Sequence, residues 1–220
     1  MDFYKILNKE ECHHGLQYKF GLNIDPLKFR PYGNCEPGGI YFSREDIFTF
    51  LDWGPWIRKV TLPEDAQIYE NPGKPKKWKA DKVILGKKEK INLKVIKRLI
   101  DEGADPTVDD NYLFRWVAKN GHINIVKFLI PIFNSKIINT DILRCAAENG
   151  YTNIVKVLIP ISDVKAENSE ALRCAAENGY IDIVKLLIPI SEINNSVISF
   201  CKTYCENQKI IDLVIANKKE

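Results

Sequence analysis

The chain has 220 residues, 45% of them hydrophobic, and a formal net charge of +3. That is ample apolar material for one large or two small domains, and too small a charge excess to argue for a polyanionic partner. No apolar run approaches the roughly 20 residues that span a bilayer, and the opening MDFYKILNKEE lacks the apolar stretch of a secretory leader; the expectation is an intracellular protein without a membrane partner.

In chain order, short apolar runs bounded by turn residues predict strands over Phe3 to Leu7, Gly39 to Ser43, Ile57 to Leu62 and Gln67 to Glu70. SREDIFTFLDW, Ser43 to Trp53, predicts a helix with Ser43 as N-cap, acids in its first turn and Ile47, Phe48, Phe50 and Leu51 as its apolar face. Gly54-Pro55 stops it, and Tyr32 to Gly39 reads as a loop. Nothing here repeats, so residues 1–88 are expected to form a small α+β domain, with Trp53 and Trp56 packing the helix on the sheet. Lys74 to Arg98 is heavily basic, opposed only by Asp81 and Glu89. A solvated lysine face is the expected use of such a run; a nucleic-acid contact is the alternative.

The six cysteines, Cys12, Cys35, Cys145, Cys174, Cys201 and Cys205, contain no CxxC pair, and the expectation is reduced thiols. Cys12, His13, His14 and Cys35 fit no standard zinc spacing, so no metal is expected. The chain has no GxSxG, P-loop or HExxH motif. His14-Gly15 followed by Gly39-Ile40-Tyr41-Phe42 resembles the catalytic domain of the poly-ADP-ribose polymerases. That resemblance implies an alternative function, an ADP-ribosyltransferase-like enzyme, active or decayed, using NAD, with His14 on the ribose, Tyr41 on the nicotinamide strand and Glu70 as the candidate glutamate. The stacking tyrosine of that family has no counterpart near Leu51, Asp52 and Trp53. The other reading is that His14 and Tyr41 are structural and that there is no catalytic residue and no cofactor.

From about residue 89 the chain repeats. In Glu170 to Pro189, EALRCAAENGYIDIVKLLIP, an alanine pair, an Asn-Gly turn, an aromatic and an Ile-Val-Lys run follow one another. The same landmarks stand 29 residues earlier at Ala146, Ala147, Asn149, Gly150, Tyr151 and Ile154 to Ile159, and again at Asn120, Gly121, His122 and Ile125 to Ile130. A fixed period of this size means stacked supersecondary units. Each unit predicts two helices. The first opens at Thr140 or Ser169 as N-cap and ends at Asn-Gly; the second opens at Asn124, Asn153 or Asp182 and ends at Pro131, Pro160 or Pro189. Buried alanines let neighbouring helices approach, and one unit cannot cover its apolar face alone.

Leu172, Ala175, Ala176, Gly179, Tyr180, Ile183, Val184, Lys185, Leu186 and Leu187 match in order the pattern of the ankyrin repeat, and Gly103 to Pro106 carries its GADP loop. With QYKFGLNID, CEPGGIYFS and VTLPEDAQIY ahead of it, the chain resembles the ankyrin-repeat proteins encoded by giant DNA viruses of amoebae. The resemblance implies an all-α ankyrin solenoid over residues 89–220: a partial unit 91–107, units 110–131, 140–160 and 169–189, and a degenerate cap 196–216. The period is 29 where the family has 33, so the fingers between units are expected to be short. Arg115, Arg144 and Arg173 replace the family's histidine and are expected to form a ladder, with Glu148 and Glu177 as i,i+4 partners.

The function implied is protein binding by a viral adaptor acting on host or viral proteins. Candidate contact residues lie at the openings of first helices: Asp110, Asn111, Tyr112, Arg115, Asp141, Arg144, Glu170 and Arg173. The partner expected is another protein, not nucleic acid or a small molecule.

Overall fold

A computed structural model describes residues 2–33, 35–133 and 136–218. The chain divides into two compact units, Met1–Leu113 and Phe114–Glu220.

The first unit is built on antiparallel strands. β1 (Phe3–Leu7), β6 (Trp56–Thr61), β9 (Lys82–Leu85) and β4 (Gly21–Ile24) lie in that order, with β10 (Glu89–Lys90) also on β6. A second sheet has the order β5 (Ile40–Phe42), β8 (Trp78–Ala80), β7 (Ile68–Glu70), and β2 (Cys12–His13) and β3 (Leu16–Gln17) make a hairpin. Tyr4 bridges to Ser43, tying β1 to the end of β5. Strand alternation fills the core: Val83 and Leu85 of β9 are buried while Ile84 faces out, and they meet Leu7, Ile40, Phe42, Val60 and Trp78. Glu11 is buried beside Arg58, whose Nε and Nη2 donate to its carboxylate at 2.9 and 2.6 Å, and Lys88 adds a third donor at 2.6 Å. An ion buried this deeply is tolerated only because its lone pairs are so filled. α1 (Leu93–Asp101) closes the unit; Asn92 caps it, and Val95, Ile96 and Leu99 are its buried stripe.

Three expectations for this unit are corrected. The segment after Ser43 is a 3-10 helix over Ile47–Trp53 with Asp46 at its cap position and no acid in its first turn. Ser43 does not cap it, because the Ser43 backbone pairs with Tyr4 and its hydroxyl donates to Lys76 O. Trp53 is 47% exposed, so it does not plug the sheet, whereas Trp56 packs against the core. The Lys74 to Arg98 run is a solvated face over most of its length, with Lys74, Lys76, Lys87, Lys88, Lys90, Lys94 and Lys97 exposed, but not at Lys77 and Lys79. β8 is the middle strand of its sheet, so Lys77 and Lys79 are buried, donating to Cys35 Sγ and Tyr32 O. Asn34, inside the expected loop, lies outside the described residues.

The second unit is helical. α2 (Val108–Lys119) carries the boundary between the units, and α3 (Ile123–Leu129), α4 (Lys136–Glu148), α5 (Thr152–Leu158), α6 (Ala166–Glu177), α7 (Ile181–Leu187), α8 (Asn195–Tyr204) and α9 (Gln208–Ala216) follow. α4 packs on α5 and α6, and α6 on α7 and α8. Ala146, Ala147, Ala175 and Ala176 are wholly buried, as are Val155, Leu158, Ile183, Val184 and Leu187. Each such aliphatic side chain contributes about 1.5–3 kcal/mol on burial.

Each first helix ends in a Schellman turn. Gly121, Gly150 and Gly179 stand at φ 76°, the following residue donates back to Val117, Ala146 or Ala175, and the preceding asparagine amide donates to Trp116, Cys145 or Cys174. The aromatic that follows makes an inverse γ-turn (φ −81 to −85°, ψ 65 to 73°) and is itself the cap residue of α3, α5 or α7, without a side-chain cap bond. Asn124, Asn153 and Asp182 are therefore in the first turn, not at the cap. Pro160 and Pro189 lie in single 3-10 turns, where the missing N–H costs nothing to the α-helical ladder.

Thr140 and Ser169 do not cap either. α4 opens at Lys136, and α6 opens at Ala166 with Lys165 in its cap position. Their hydroxyls instead exchange two hydrogen bonds each with a backbone 23 residues on: Thr140 with Asp163 N and O (3.2 and 3.4 Å), Ser169 with Glu192 N and O (3.0 and 3.3 Å). The small polar residue is a clasp from one first helix to the finger that follows its partner helix.

Candidate protein-binding surface

The openings of α2 and α6 share a feature that propensity does not predict. Asp109, Asp110 and Asn111 (φ 54, 51 and 63°) and Glu167, Asn168 and Ser169 (φ 50, 57 and 54°) are left-handed. For residues with a Cβ this conformation costs roughly 1–2 kcal/mol each. In α6 the Arg173 guanidinium offsets part of that cost: Nη2 donates to Glu167 O at 2.8 Å and Nε to Asn168 O at 3.2 Å, and its plane lies 5.0 Å from the Phe200 ring. Arg144 behaves differently, facing Glu148 at 3.3 Å, Glu170 at 3.6 Å and Asp141 at 3.8 Å. One arginine joins α4 to α6 by charge, and the next holds a backbone turn and reaches α8. The pair expected between Arg173 and Glu177 is replaced by these carbonyl contacts.

Of the other candidate contact residues, Asp110 and Asp141 are exposed, and Asn111, Arg115 and Glu170 are half-buried. Tyr112 is half-buried and its hydroxyl donates to Asp52. Cys174 and Cys201 have thiols pushed up to about 11 by burial, which keeps them protonated and unreactive.

At the opposite end of the first helices an aromatic covers Gly121 and Gly150. A Cβ on Gly121 would stand 2.4 Å from Cε1 of Tyr151, and one on Gly150 would stand 2.6 Å from Cε1 of Tyr180. Over Gly179 no atom of the described residues lies within 4 Å. The residue that caps α9, and so occupies the station of Tyr151 and Tyr180, is Asn207, which folds its amide oxygen onto Lys209 N. A groove of ≈ 660 Å³ results, walled by Glu177, Asn178 and Gly179 on one side and Glu206, Asn207 and Lys209 on the other.

The first unit holds a cavity of ≈ 60 Å³ between β1, β5, the β2 hairpin and the 3-10 helix. Lys5, His13, Cys35, Tyr41, Trp53 and Lys77 contribute to its lining. Of the three residues of the NAD reading, only Tyr41 lines this cavity, with its hydroxyl donating to Glu36 O. His14 is exposed at φ 50° with its Nε2 3.1 Å from Cys35 O, and Glu70 is exposed on β7. Burial, with the nearby Lys5 charge, drops His13 to about 4, so its ring is neutral at pH 7. Among the described residues no group of three His, Cys, Asp or Glu is placed to hold a metal.

The ankyrin-repeat family model, in three copies, matches residues 87–168 and 114–198, more than half of the chain. The chain belongs to the ankyrin-repeat family. Among its relatives, one ankyrin-repeat protein of Acanthamoeba polyphaga mimivirus is 34% identical over 136 residues, covering 58% of this chain and 66% of its own length. A second from the same virus is 38% identical over 125 residues, covering 52% and 40%. An uncharacterized protein of that virus is 36% identical over 133 residues, covering 58% and 96%. This chain thus spans two-thirds or less of the first two relatives. Arg144 bridges α4 and α6 and Arg173 reaches α8, while Tyr151 and Tyr180 are lids over Gly121 and Gly150 of the preceding Asn-Gly turns. Neither role shows in single-residue propensity; the recurrence of Gly-aromatic at a fixed period was the available signal, and the last repeat, with Asn207, breaks it.

Proposed function

We propose that the ankyrin repeats bind another protein, and that the groove over Gly179 receives an aromatic side chain of that partner. The observation that carries this is the vacancy itself: an aromatic ring fills the same position over Gly121 and Gly150, and Asn207 leaves it open over Gly179. Aromatic anchors in a pre-formed pocket dominate most protein interfaces. Exposed Asp141 and the half-buried Glu170 and Arg173, at the openings of first helices and so at the far end from the groove, are a second set of contact positions, with Asp110, Asn111, Tyr112, Arg115 and Arg144 as further ones.

The same reading takes residues 89–220 as a solenoid of 29-residue repeats, with 1–88 as a separate module. It is supported by the starts of α3, α5 and α7 at residues 123, 152 and 181. Kinship with mimivirus proteins supports a viral adaptor that meets host or viral proteins inside the infected cell.

Asn207→Tyr tests the reading. It restores the aromatic station, so it is expected to fill the groove. Random peptides selected on the wild-type chain are expected to carry an aromatic residue and to lose binding to the variant. Peptides that bind both chains equally would remove the groove from the interface.

A further inference from the structure

Lys5 lies on β1 at 6% exposure and lines the cavity of the first unit. Among the described residues no carboxylate pairs with it. Its Nζ donates to Tyr41 O at 2.9 Å and lies 4.7 Å from the centre of the Tyr18 ring. A carbonyl and a ring face do not replace the hydration of an ammonium ion, so burial favours the free amine and lowers its proton affinity to about 7. The surroundings supply no anion in reserve. Arg58 stands opposite Lys5 on β6 and is taken up by Glu11. His13 on β2 is neutral at pH 7, and Tyr18 and Tyr41 keep their protons well above it. Asp25, whose charge His13 and Tyr18 feel, accepts from Leu27 N and Gly39 N. Among the described residues no aspartate or glutamate lines the cavity, while a second ammonium, Lys77, does, and Ile47, Phe50 and Trp53 give it an apolar wall.

We infer that Lys5 is an amine nucleophile and that the cavity is a binding site for a small carbonyl compound bearing a negative charge, of the 2-oxo acid class, held as an imine on Lys5. A lysine desolvated in an apolar pocket is the arrangement that makes an amine reactive near neutral pH. The Lys5 amine adds to the carbonyl carbon, forming the C–N bond. The carbonyl oxygen then leaves as water with the two amine protons, giving Lys5–N=C and no net change in oxidation state. The ligand's carboxylate is complementary to the Lys77 ammonium and to a cavity without acidic side chains.

The probe is pyruvate with cyanoborohydride at pH 7.5 on the full chain, with adducts located by peptide mass spectrometry. A reduced adduct concentrated on Lys5, formed roughly 600-fold faster than on the average exposed lysine, is expected from the difference in free-amine fraction at pH 7.5. The Lys5 rate should level off above about pH 8, whereas exposed lysines keep gaining to pH 10. This profile needs only the wild-type chain, so the inference stays testable if Lys5→Arg fails to fold. Folded Lys5→Arg should lose the dominant adduct. Labelling spread evenly over the lysines, a Lys5 rate that climbs to pH 10, or equal labelling by acetone would each overturn the inference.

Discussion

The ring of Tyr180 lies over Gly150 so closely that a Cβ on the glycine would meet Cε1 at 2.6 Å. Gly150 and Gly179 share the same φ of 76°, yet only the first is covered. Substitution to alanine separates the two costs. Gly179→Ala is expected to lose about 1 kcal/mol, the left-handed penalty less the entropy removed from the unfolded chain. Gly150→Ala adds the overpacking against tyrosine and should lose about 2–4 kcal/mol. Urea denaturation of both variants measures the difference; equal losses would mean that the ring is not a fixed lid.

Arg173 donates to two carbonyls of a left-handed turn. Its replacement by alanine is expected to cost about 2 kcal/mol, since hydrogen bonds to charged groups are each worth about 1.5–3 kcal/mol and water replaces part of them. Glu167→Gly relieves the turn and should regain about 1 kcal/mol. A double-mutant cycle between the two positions should show coupling, because the glycine turn no longer needs its brace.

Glu11 is the counter-charge of buried Arg58. Glu11→Ala leaves that guanidinium without a partner and is expected to destabilise the fold by about 3–5 kcal/mol, read from chemical denaturation. The double variant Glu11→Ala/Arg58→Met should recover much of the loss.

The pH dependence of stability carries two separable signatures. Burial lowers His13 to about 4 from 6.5 and Lys5 to about 7 from 10.5. In both cases the unfolded chain binds more protons between the two values, so stability rises with pH there. His13 acts between about 4 and 6.5, and Lys5 from about 7 upward. Above pH 9 the buried thiols of Cys174 and Cys201, raised to about 11, reverse the trend, because the unfolded chain ionises first. Thermal melts should therefore climb from pH 7 to about 8.5 by up to ~1.4 kcal/mol per pH unit. Lys5→Met should abolish that climb and leave a smaller one below pH 6.5, because burial still lowers His13 once the Lys5 charge is gone.

The helical repeats were legible because their chemistry is local. An alanine pair, an Asn-Gly turn and an Ile-Val run each dictate a conformation within a few residues, and the period repeats the message. The caps misled for the opposite reason: Thr140 and Ser169 have the right side chains for a cap, but the backbones of Asp163 and Glu192 compete for them and win, a contact that propensity does not encode. In the first unit, β2, β3 and β10 are two-residue strands, too short for alternation to register. Lys79 reads as surface from its charge and is buried because β8 became a central strand. Lys5 gives no sign in FYKIL; its environment is assembled from His13, Tyr18 and Tyr41, which only folding brings together. The groove over Gly179 was hidden by register: Asn207 takes the station of Tyr180 after 27 residues rather than 29.

The lids of Gly121 and Gly150 are carried by the repeat that follows each of them. Growth of the array is therefore built in at one end: a duplicated copy of residues 166–194, one full 29-residue period, placed ahead of α8 would arrive with its own tyrosine, cover Gly179, and present a fresh open glycine of its own. Gene duplication can lengthen such a chain while the terminal slot moves outward unchanged.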